Sequence, residues 1–450
     1  MAPELILINP WIYDFAAYDL WSKPMGLLYI AAYLRHYGLG VHLIDCLDVH
    51  HPGMKRKSPM KIPKRRLYGT GKFWRQKVPT PSPLRHISRP YSRYGISLEV
   101  FEQELRKTLK PAAILVTSLM TYWYPGVIEA IRLAKKIHPG TPVILGGIYA
   151  GLCHDHAVQN SGADWIVTHD TMPSILKLLN DLGIEAPGHG TDLDHVYPAF
   201  DLLGHIDYVC LLTSSGCPFR CQYCASHFLN PEFNQRDPLE VLDEILFWHS
   251  NYGIRDIAFY DDALLVASGS HMSVLLEKLA GLDVKLRFHT PNAIHAREVT
   301  ADVAELMHRT GFRTIRLGLE TSDFSVHRDL DNKISEGDFE RAVNHLLKAG
   351  FDSRDLGAYI LMGLPGQSVV SVNHTIDFVA GAGATPYLSE YSPIPHTALW
   401  EKAVSHSEYD LSSEPLYHNN TLLPCWDEDK RKELPRLKKR VLEIRERNRS

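Results

Sequence analysis

The 450-residue chain has no run of about 18 consecutive apolar residues, so no membrane-spanning helix is expected. Its first residues, from Met1 to Phe15, lack the basic stretch and the small-residue cleavage site of a secretory signal, and a cytoplasmic protein is expected. Neither sign of charge dominates: 48 Lys and Arg stand against 52 Asp and Glu, a net charge of −4. That balance argues against a protein that coats nucleic acid with its whole surface. Cysteine is scarce, at seven residues. Cys46, Cys153, Cys210 and Cys425 are scattered and read as small core residues, not as ligands or a disulfide framework. The 24 histidines, His374 and His396 among them, form no H-x3-H or H-E-x2-H pair on a helical pattern, so no histidine metal site is assigned. No repeat of roughly 20–50 residues is visible, which removes solenoids and propellers.

What is present is α/β alternation in two series, over a length that suits two or three domains. In residues 1–182, short apolar runs at Leu5–Ile8, Val41–Asp45, Ala113–Ser118, Val143–Leu145 and Trp165–Thr168 read as strands. Helical spacing at Gly26–Tyr37, Val127–Ile137 and His154–Asn160 lies between them. Strands separated by helices imply a parallel, doubly wound Rossmann-like sheet. Residues 183–205, with Gly183, Pro187, Gly188, Gly190 and Pro198, read as a linker. Residues 206–395 give six further βα units, with strands at Tyr208–Thr213, Asp256–Tyr260, Lys285–His289, Thr314–Gly318, Leu356–Leu361 and Tyr387–Tyr391. Six units are too few for a closed eight-unit barrel and suit an open partial one. Residues 396–450 form a helical extension whose last helix carries Leu434, Leu437, Val441 and Ile444 on one stripe.

Residues 51–98 interrupt the first series. They hold thirteen Lys and Arg, from Lys55 to Arg93, with no Asp or Glu, and seven prolines. Proline at that density opposes helix and central strand, so an extended loop or lid is expected. Tyr68, Phe73, Trp74, Tyr91 and Tyr94 interleave with the charges. Two readings stand: a cover over an anionic ligand or a nucleic-acid contact, in which bases stack on these rings, and a solvated basic insertion.

The remaining three cysteines are crowded into eight residues, Cys217-Pro218-Phe219-Arg220-Cys221-Gln222-Tyr223-Cys224. Zinc sites want four N or S ligands with a second pair at a distance, and no such pair exists here. Three thiolates on one tight loop instead suit three corners of a cubane iron–sulfur cluster, with the fourth iron open. The loop follows the first strand of the second series at its C-terminal end, where barrel active sites lie.

The spacing C-x3-C-x-aromatic-C on such a loop resembles the signature of the radical S-adenosylmethionine (SAM) superfamily. The resemblance implies that Cys217, Cys221 and Cys224 bind a 4Fe–4S cluster, that SAM chelates the open iron, and that Tyr223 lies near the adenine. It further implies SAM contacts from Asp261 and Asp262 after the second barrel strand, although Tyr260-Asp261-Asp262 stands where the family has Gly-Gly-Glu. Gly318 and Glu320 match the element that meets the SAM ribose and carboxylate. Gly363 and Gly366 match the glycines that let backbone approach the adenine. Arg316 and His289 are expected to point into the barrel mouth. Ser392-Pro393-Ile394-Pro395 is expected to shape the substrate entrance.

The first series resembles the class of that superfamily with an N-terminal cobalamin (B12)-binding-like domain. Ser118-Leu119-Met120, Gly146 and Gly147 sit where corrinoid domains keep a Ser-x-Leu element and a glycine pair. A cobalt-ligating histidine is absent after the first strand. The literal match Asp48-Val49-His50-His51-Pro52-Gly53 follows the second strand, and His50 is read as a loop histidine. Tyr122, Trp123 and Tyr124 either line the corrinoid space or fill it. Three readings follow: a cobalamin-dependent radical SAM methyltransferase; a radical SAM enzyme without cobalamin that rearranges, cyclises or oxidises; and a non-catalytic iron–sulfur protein. Sulfur insertion is disfavoured, since no second cysteine triplet exists for an auxiliary cluster. The resemblance implies an electron donor such as flavodoxin or ferredoxin, an oxygen-poor setting, and a small-molecule or peptide substrate.

Overall fold

The computed structural model describes residues 2–57, 60–168, 171–186, 188 and 196–448. Residues 169–170 and, within the 183–205 linker, residues 187 and 189–195 lie outside the described set. Two compact units result, one from residues 1–207 with 413–417, the other from 208–412 with 418–450.

The first unit is built on five strands, β1 (Glu4–Asn9), β2 (Gly40–Asp45), β3 (Ala113–Val116), β4 (Val143–Leu145) and β5 (Trp165–Ile166). All neighbours are parallel and the order is 2-1-3-4-5. This is the flavodoxin-like doubly wound order, with its switch point between β1 and β3. Leu5 to Ile8 are wholly buried, as a parallel strand covered on both faces requires. The helix Met25–His36 ends where Gly38 takes a φ of +82°. Helix Tyr124–Ile137 starts hard against the loop after β1: a Cβ on Gly126 would stand 1.9 Å from the Trp11 carbonyl oxygen.

The basic segment departs from the expected structureless lid. Ser92–Tyr94 pairs antiparallel with Ile12–Asp14 on one side and with Arg75–Lys77 on the other, and Gly71–Lys72 pairs with Tyr18–Asp19. These strands are only two or three residues long and fall between the prolines, which is how the segment keeps regular structure. Phe73, Trp74, Tyr91 and Tyr94 are buried. They form the core of this small subdomain, so the expected stacking of bases on them is withdrawn. Trp74 Nε1 donates to the Val49 carbonyl at 3.0 Å, and the Tyr91 hydroxyl donates to the Tyr13 carbonyl at 2.9 Å.

The second unit is a partial barrel. Strands β6 (Val209–Leu211), β7 (Asp256–Phe259), β8 (Arg287–His289), β9 (Phe312–Glu320), β10 (Leu356–Met362) and β11 (Thr385–Glu390) run in sequence order, all parallel. Helices Pro238–Tyr252, Met272–Ala280, Ala301–Thr310, Asp338–Lys348 and Val369–Gly381 follow the strands in turn. The helix Leu434–Arg447 buries Leu437, Val441 and Ile444 and lies along β11. Lys438 pairs with Glu390 at 2.7 Å, Arg445 donates to the Pro386 carbonyl, and Asn448 donates to Thr385 Oγ1. The terminal helix thereby covers an edge strand that would otherwise expose its side. No helix among the described residues is long and apolar enough to cross a membrane.

Gly126→Ala puts a methyl group into the Trp11 backbone and forces the helix outward. Overpacking of this kind costs about 1–3 kcal/mol. The variant is expected to melt several degrees below the wild type by circular dichroism. An unchanged melting temperature would show that the helix end yields freely.

Candidate active site

Strand β6 is short because its ladder is cut off by a side chain. The buried Asp261 carboxylate, just past β7, accepts the Thr213 backbone N–H at 2.9 Å, the Thr213 hydroxyl at 2.8 Å and the Ser214 hydroxyl at 2.6 Å. Ser214–Ser215 then pairs antiparallel with Asn234–Gln235, and the cysteine loop bulges out from this hairpin. Gly216 has a φ of +71°, and a Cβ there would meet the Glu232 carbonyl oxygen at 2.2 Å, so only glycine makes the turn. Gln222 holds the loop from both sides, donating its N–H to Leu330 and accepting from the Leu399 N–H.

Cys217 and Cys224 are half-buried and Cys221 is buried, all as free thiols. Burial pushes the Cys221 thiol up to about 12, against the pull of the Lys333 ammonium, and burial raises Cys217 as well. A cofactor that binds thiolates must therefore expel protons here. Three thiols on one loop suit three corners of a cluster better than the four-ligand set of a zinc site.

A second layer comes from the end of β9. The register between β9 and β10 slips between Gly318 and Glu320, and Glu320 takes a φ of +66°. Bulges and positive φ values at non-glycine residues concentrate at functional sites. Here they turn the Glu320 carboxylate inward. It accepts from Lys333 Nζ at 2.8 Å and from the Tyr223 hydroxyl at 3.1 Å, while Lys333 Nζ also donates to the Tyr223 oxygen at 2.7 Å. Burial and the Glu320 charge hold the Tyr223 phenol well above its ordinary pKa, so it stays protonated. Gly318 leaves this corner open: a Cβ there would stand 3.6 Å from both Glu320 Oε1 and Lys333 Nζ.

Lys333 escaped the sequence reading, as did His295. His295 pairs with Gly318 and packs 4.5 Å from the Phe219 ring of the cysteine loop. Burial, with the Lys333 and Arg297 charges, lowers its pKa to about 3, and its buried Nδ1 has no hydrogen-bond partner among the described residues. The segment carrying Lys333 is pinned by His327, whose ring bonds Asp331 at 2.9 Å and the Thr321 carbonyl at 2.9 Å. No motif marks these residues in the sequence.

The other expected contacts divide. Asp262 lies beside the cysteine loop, its carboxylate accepting from the Ser226 hydroxyl at 2.6 Å. Asp261 is buried and holds Thr213 and Ser214 through hydrogen bonds that fall mainly on its Oδ1. His289 is fully buried, bonded to Thr314 Oγ1 and to Asp256 at the start of β7. It braces the strands and does not reach the mouth. Arg316 donates to the Ile315 carbonyl and to the Tyr387 hydroxyl and lies 4.3 Å over the Tyr387 ring, a structural placement. Gly363 has a φ of +94° and donates its N–H to Gln367 Oε1. Gly366 meets nothing within 4 Å of a Cβ position and lines, with Gln222 and Thr321, a cavity of ≈ 530 Å³. Ser392 donates to the His418 carbonyl.

In the first unit, Ser118 Oγ donates to the Gly146 carbonyl at 2.7 Å, and Gly147 has a φ of +94° with a Cβ position 2.3 Å from the Ser118 carbonyl oxygen. The three residues form one knot at the C-terminal ends of β3 and β4. Asn9, closing β1 at the switch point, has a buried Oδ1 without a partner among the described residues. His50 Nε2 is 2.7 Å from Asp207, which also bonds His205 at 3.1 Å. It is a loop histidine in a carboxylate pair, as expected. Trp123 donates to Asp14, and Tyr124 bonds Glu414 and stacks on Tyr149.

A parallel partial barrel with an isolated cysteine triplet after its first strand defines the class, and residues 211–379 match the Radical SAM superfamily. The second unit carries a radical SAM domain. An uncharacterized methyltransferase of Pyrococcus horikoshii is 23% identical, over 70% of this chain and 74% of that protein. Cytidylyl-2-hydroxyethylphosphonate methyltransferase of Streptomyces wedmorensis is 23% identical, over 92% of this chain and 84% of that protein. The fold is shared with the radical SAM methyltransferase TsrM of Kitasatospora setae, solved with cobalamin and a [4Fe–4S] cluster, at a TM-score of 0.66 and 14% identity over 99% of this chain and 89% of that one. The cobalamin-dependent radical SAM enzyme OxsB superposes at a TM-score of 0.56 and 14% identity, over 92% of this chain and 57% of that one.

Lys333→Met leaves the buried Glu320 carboxylate without its cation. Breaking a buried pair in this way costs about 3–5 kcal/mol. The double variant Lys333→Met with Glu320→Gln removes both charges and is expected to recover most of that loss in urea unfolding. Equal instability of the single and double variants would show that the pair is not coupled.

Proposed function

We propose that the chain is a cobalamin-dependent radical SAM methyltransferase. Cys217, Cys221 and Cys224 hold a 4Fe–4S cluster, SAM binds over it, and the first unit holds cobalamin. The cluster supplies the electron that splits SAM into methionine and a hydrogen-abstracting 5′-deoxyadenosyl radical, and cobalamin supplies the methyl carrier. The observation that carries the reading is the isolated thiol triplet set against the inward-turned Glu320, Lys333 and Tyr223.

The chain's own residues act by charge and exclusion. Lys333 keeps a positive charge near Cys221, which favours its thiolate. Gly318 and Glu320 meet the SAM ribose and carboxylate, Tyr223 lies near the adenine, Asp262 offers an acceptor for the amino group, and Gly366, where a Cβ would meet nothing within 4 Å, leaves room for the flat base. In the first unit, the Ser118–Gly146–Gly147 knot lets a nucleotide tail lie against backbone, and Asn9 Oδ1 offers an unused acceptor. His50 is not offered as a cobalt ligand, since its Nε2 faces Asp207. The kinship in sequence and fold with methyltransferases supports the transfer reading. We further propose a small-molecule or peptide substrate, flavodoxin or ferredoxin as reductant, and an oxygen-poor cytoplasm as the setting.

One observation favours a reading without cobalamin: the Trp123 and Tyr124 rings are committed to internal contacts close beyond Ser118. Anaerobic reconstitution separates the two. Expected are about four irons per chain, lost in Cys221→Ala. Deoxyadenosine should form after dithionite and SAM are added, and added hydroxocobalamin should be retained through desalting. Loss of all corrinoid on desalting would leave the second reading standing. Zinc in place of iron, or an inert loaded cluster, would sink both.

A further inference from the structure

The basic segment sorts its cations into two groups. The arginines hold the subdomain together: Arg65 pairs with Asp19 at 2.5 Å, Arg93 bonds Gln76 and lies over Trp11, and Arg89 lies over Phe15. The lysines are left over. Lys61, Lys64, Lys72 and Lys77 have no carboxylate within 4.0 Å among the described residues. All four line one cavity of ≈ 1010 Å³ in the first unit, together with Arg75. The cavity contains one acidic residue, Glu99, and its carboxylate is satisfied by its own N–H and by Ser97 at the start of helix Leu98–Leu105. Five cations against one engaged anion repel one another across a shared space, and such clefts concentrate counter-ions of opposite sign. The floor is apolar and aromatic, formed by the buried Phe73 and Tyr94 with Met54.

We propose that this cavity binds the phosphate groups of a nucleotide-sized small molecule. The volume lies at the top of the range for small-molecule sites, roughly 300–1,000 Å³. It suits several phosphate oxygens on the lysines with an apolar or aromatic group on the floor. Lysine ammonium groups bind phosphate as point charges, so no bidentate geometry is needed. A nucleic acid fits less well, because the aromatic side chains of the segment are buried in the subdomain core and cannot serve as a stacking platform. The phosphate site goes beyond the proposed radical SAM chemistry and stands or falls separately from it.

The test is calorimetric titration of the reconstituted full-length protein with ATP, inorganic pyrophosphate and a short single-stranded oligoribonucleotide. ATP and pyrophosphate are expected to bind, with affinity falling as salt rises. Lys64→Ala with Lys72→Ala is expected to weaken ATP at least tenfold, whereas Lys110→Ala, outside the cavity, leaves it unchanged. Circular dichroism checks that the double variant is folded. Absence of binding, binding indifferent to the double variant, or tighter binding of the oligoribonucleotide than of ATP would each overturn the proposal. Iron content and SAM cleavage are measured on the same wild-type preparation. Turnover of SAM without phosphate binding removes the cavity proposal alone; phosphate binding without turnover removes the functional reading and leaves the phosphate site.

Discussion

The geometry of the second unit depends on one buried carboxylate. Asp261 takes three hydrogen bonds from Thr213 and Ser214, just beyond β6, and in doing so it ends that strand and starts the cysteine loop. Burial pushes its pKa up, while the donors from Ser214 and Thr213 pull it down. A carboxylate buried without partners would be costly; one that receives several hydrogen bonds is a rigid fixture. The loop it fixes is then turned by Gly216 and pinned through Gln222 to Leu330 and Leu399. These backbone hydrogen bonds hold the loop that carries the three thiols.

The Glu320–Lys333–Tyr223 cluster stands on that base. A buried ion pair is weak evidence for stability, because desolvation consumes most of the attraction. Its presence beside the cysteines, on a bulged residue with positive φ, fits function better than folding. The same logic separates Asp261 from Asp262. One is spent on backbone and hydroxyl donors; the other keeps an oxygen free beyond its single bond from Ser226.

Local pattern made much of this legible. The strands of both series are short apolar runs, and the order of six βα units predicted the partial barrel. The cysteines announced themselves because all three ligands sit on one loop. What escaped was non-local. Lys333 reaches Glu320 from an irregular turn, and its neighbours Asp331 and Asn332 match no motif. The slip between Gly318 and Glu320 depends on the register with β10, which period-2 reading cannot see. The small sheets in 51–98 were missed for the same reason. Their strands of two or three residues exist only because Ile12–Asp14 and Tyr18–Asp19, far away in sequence, supply the partners. Buried aromatics among prolines and lysines looked like a stacking surface until those partners supplied a core.

Charge in that segment carries the last step. A run of thirteen cations without an acid would be expected to repel itself into an extended chain. Arg65, Arg89 and Arg93 are instead absorbed by a carboxylate, an amide or an aromatic face, each of which accepts a planar guanidinium. Lysine has no comparable use for a ring face or a fork of acceptors. The residues left facing the cavity are therefore mostly lysines, and their charge is unspent. Folding and ligand attraction are divided between two cation types within one stretch of sequence. A composition count merges them; the positions of the carboxylates and rings tell them apart.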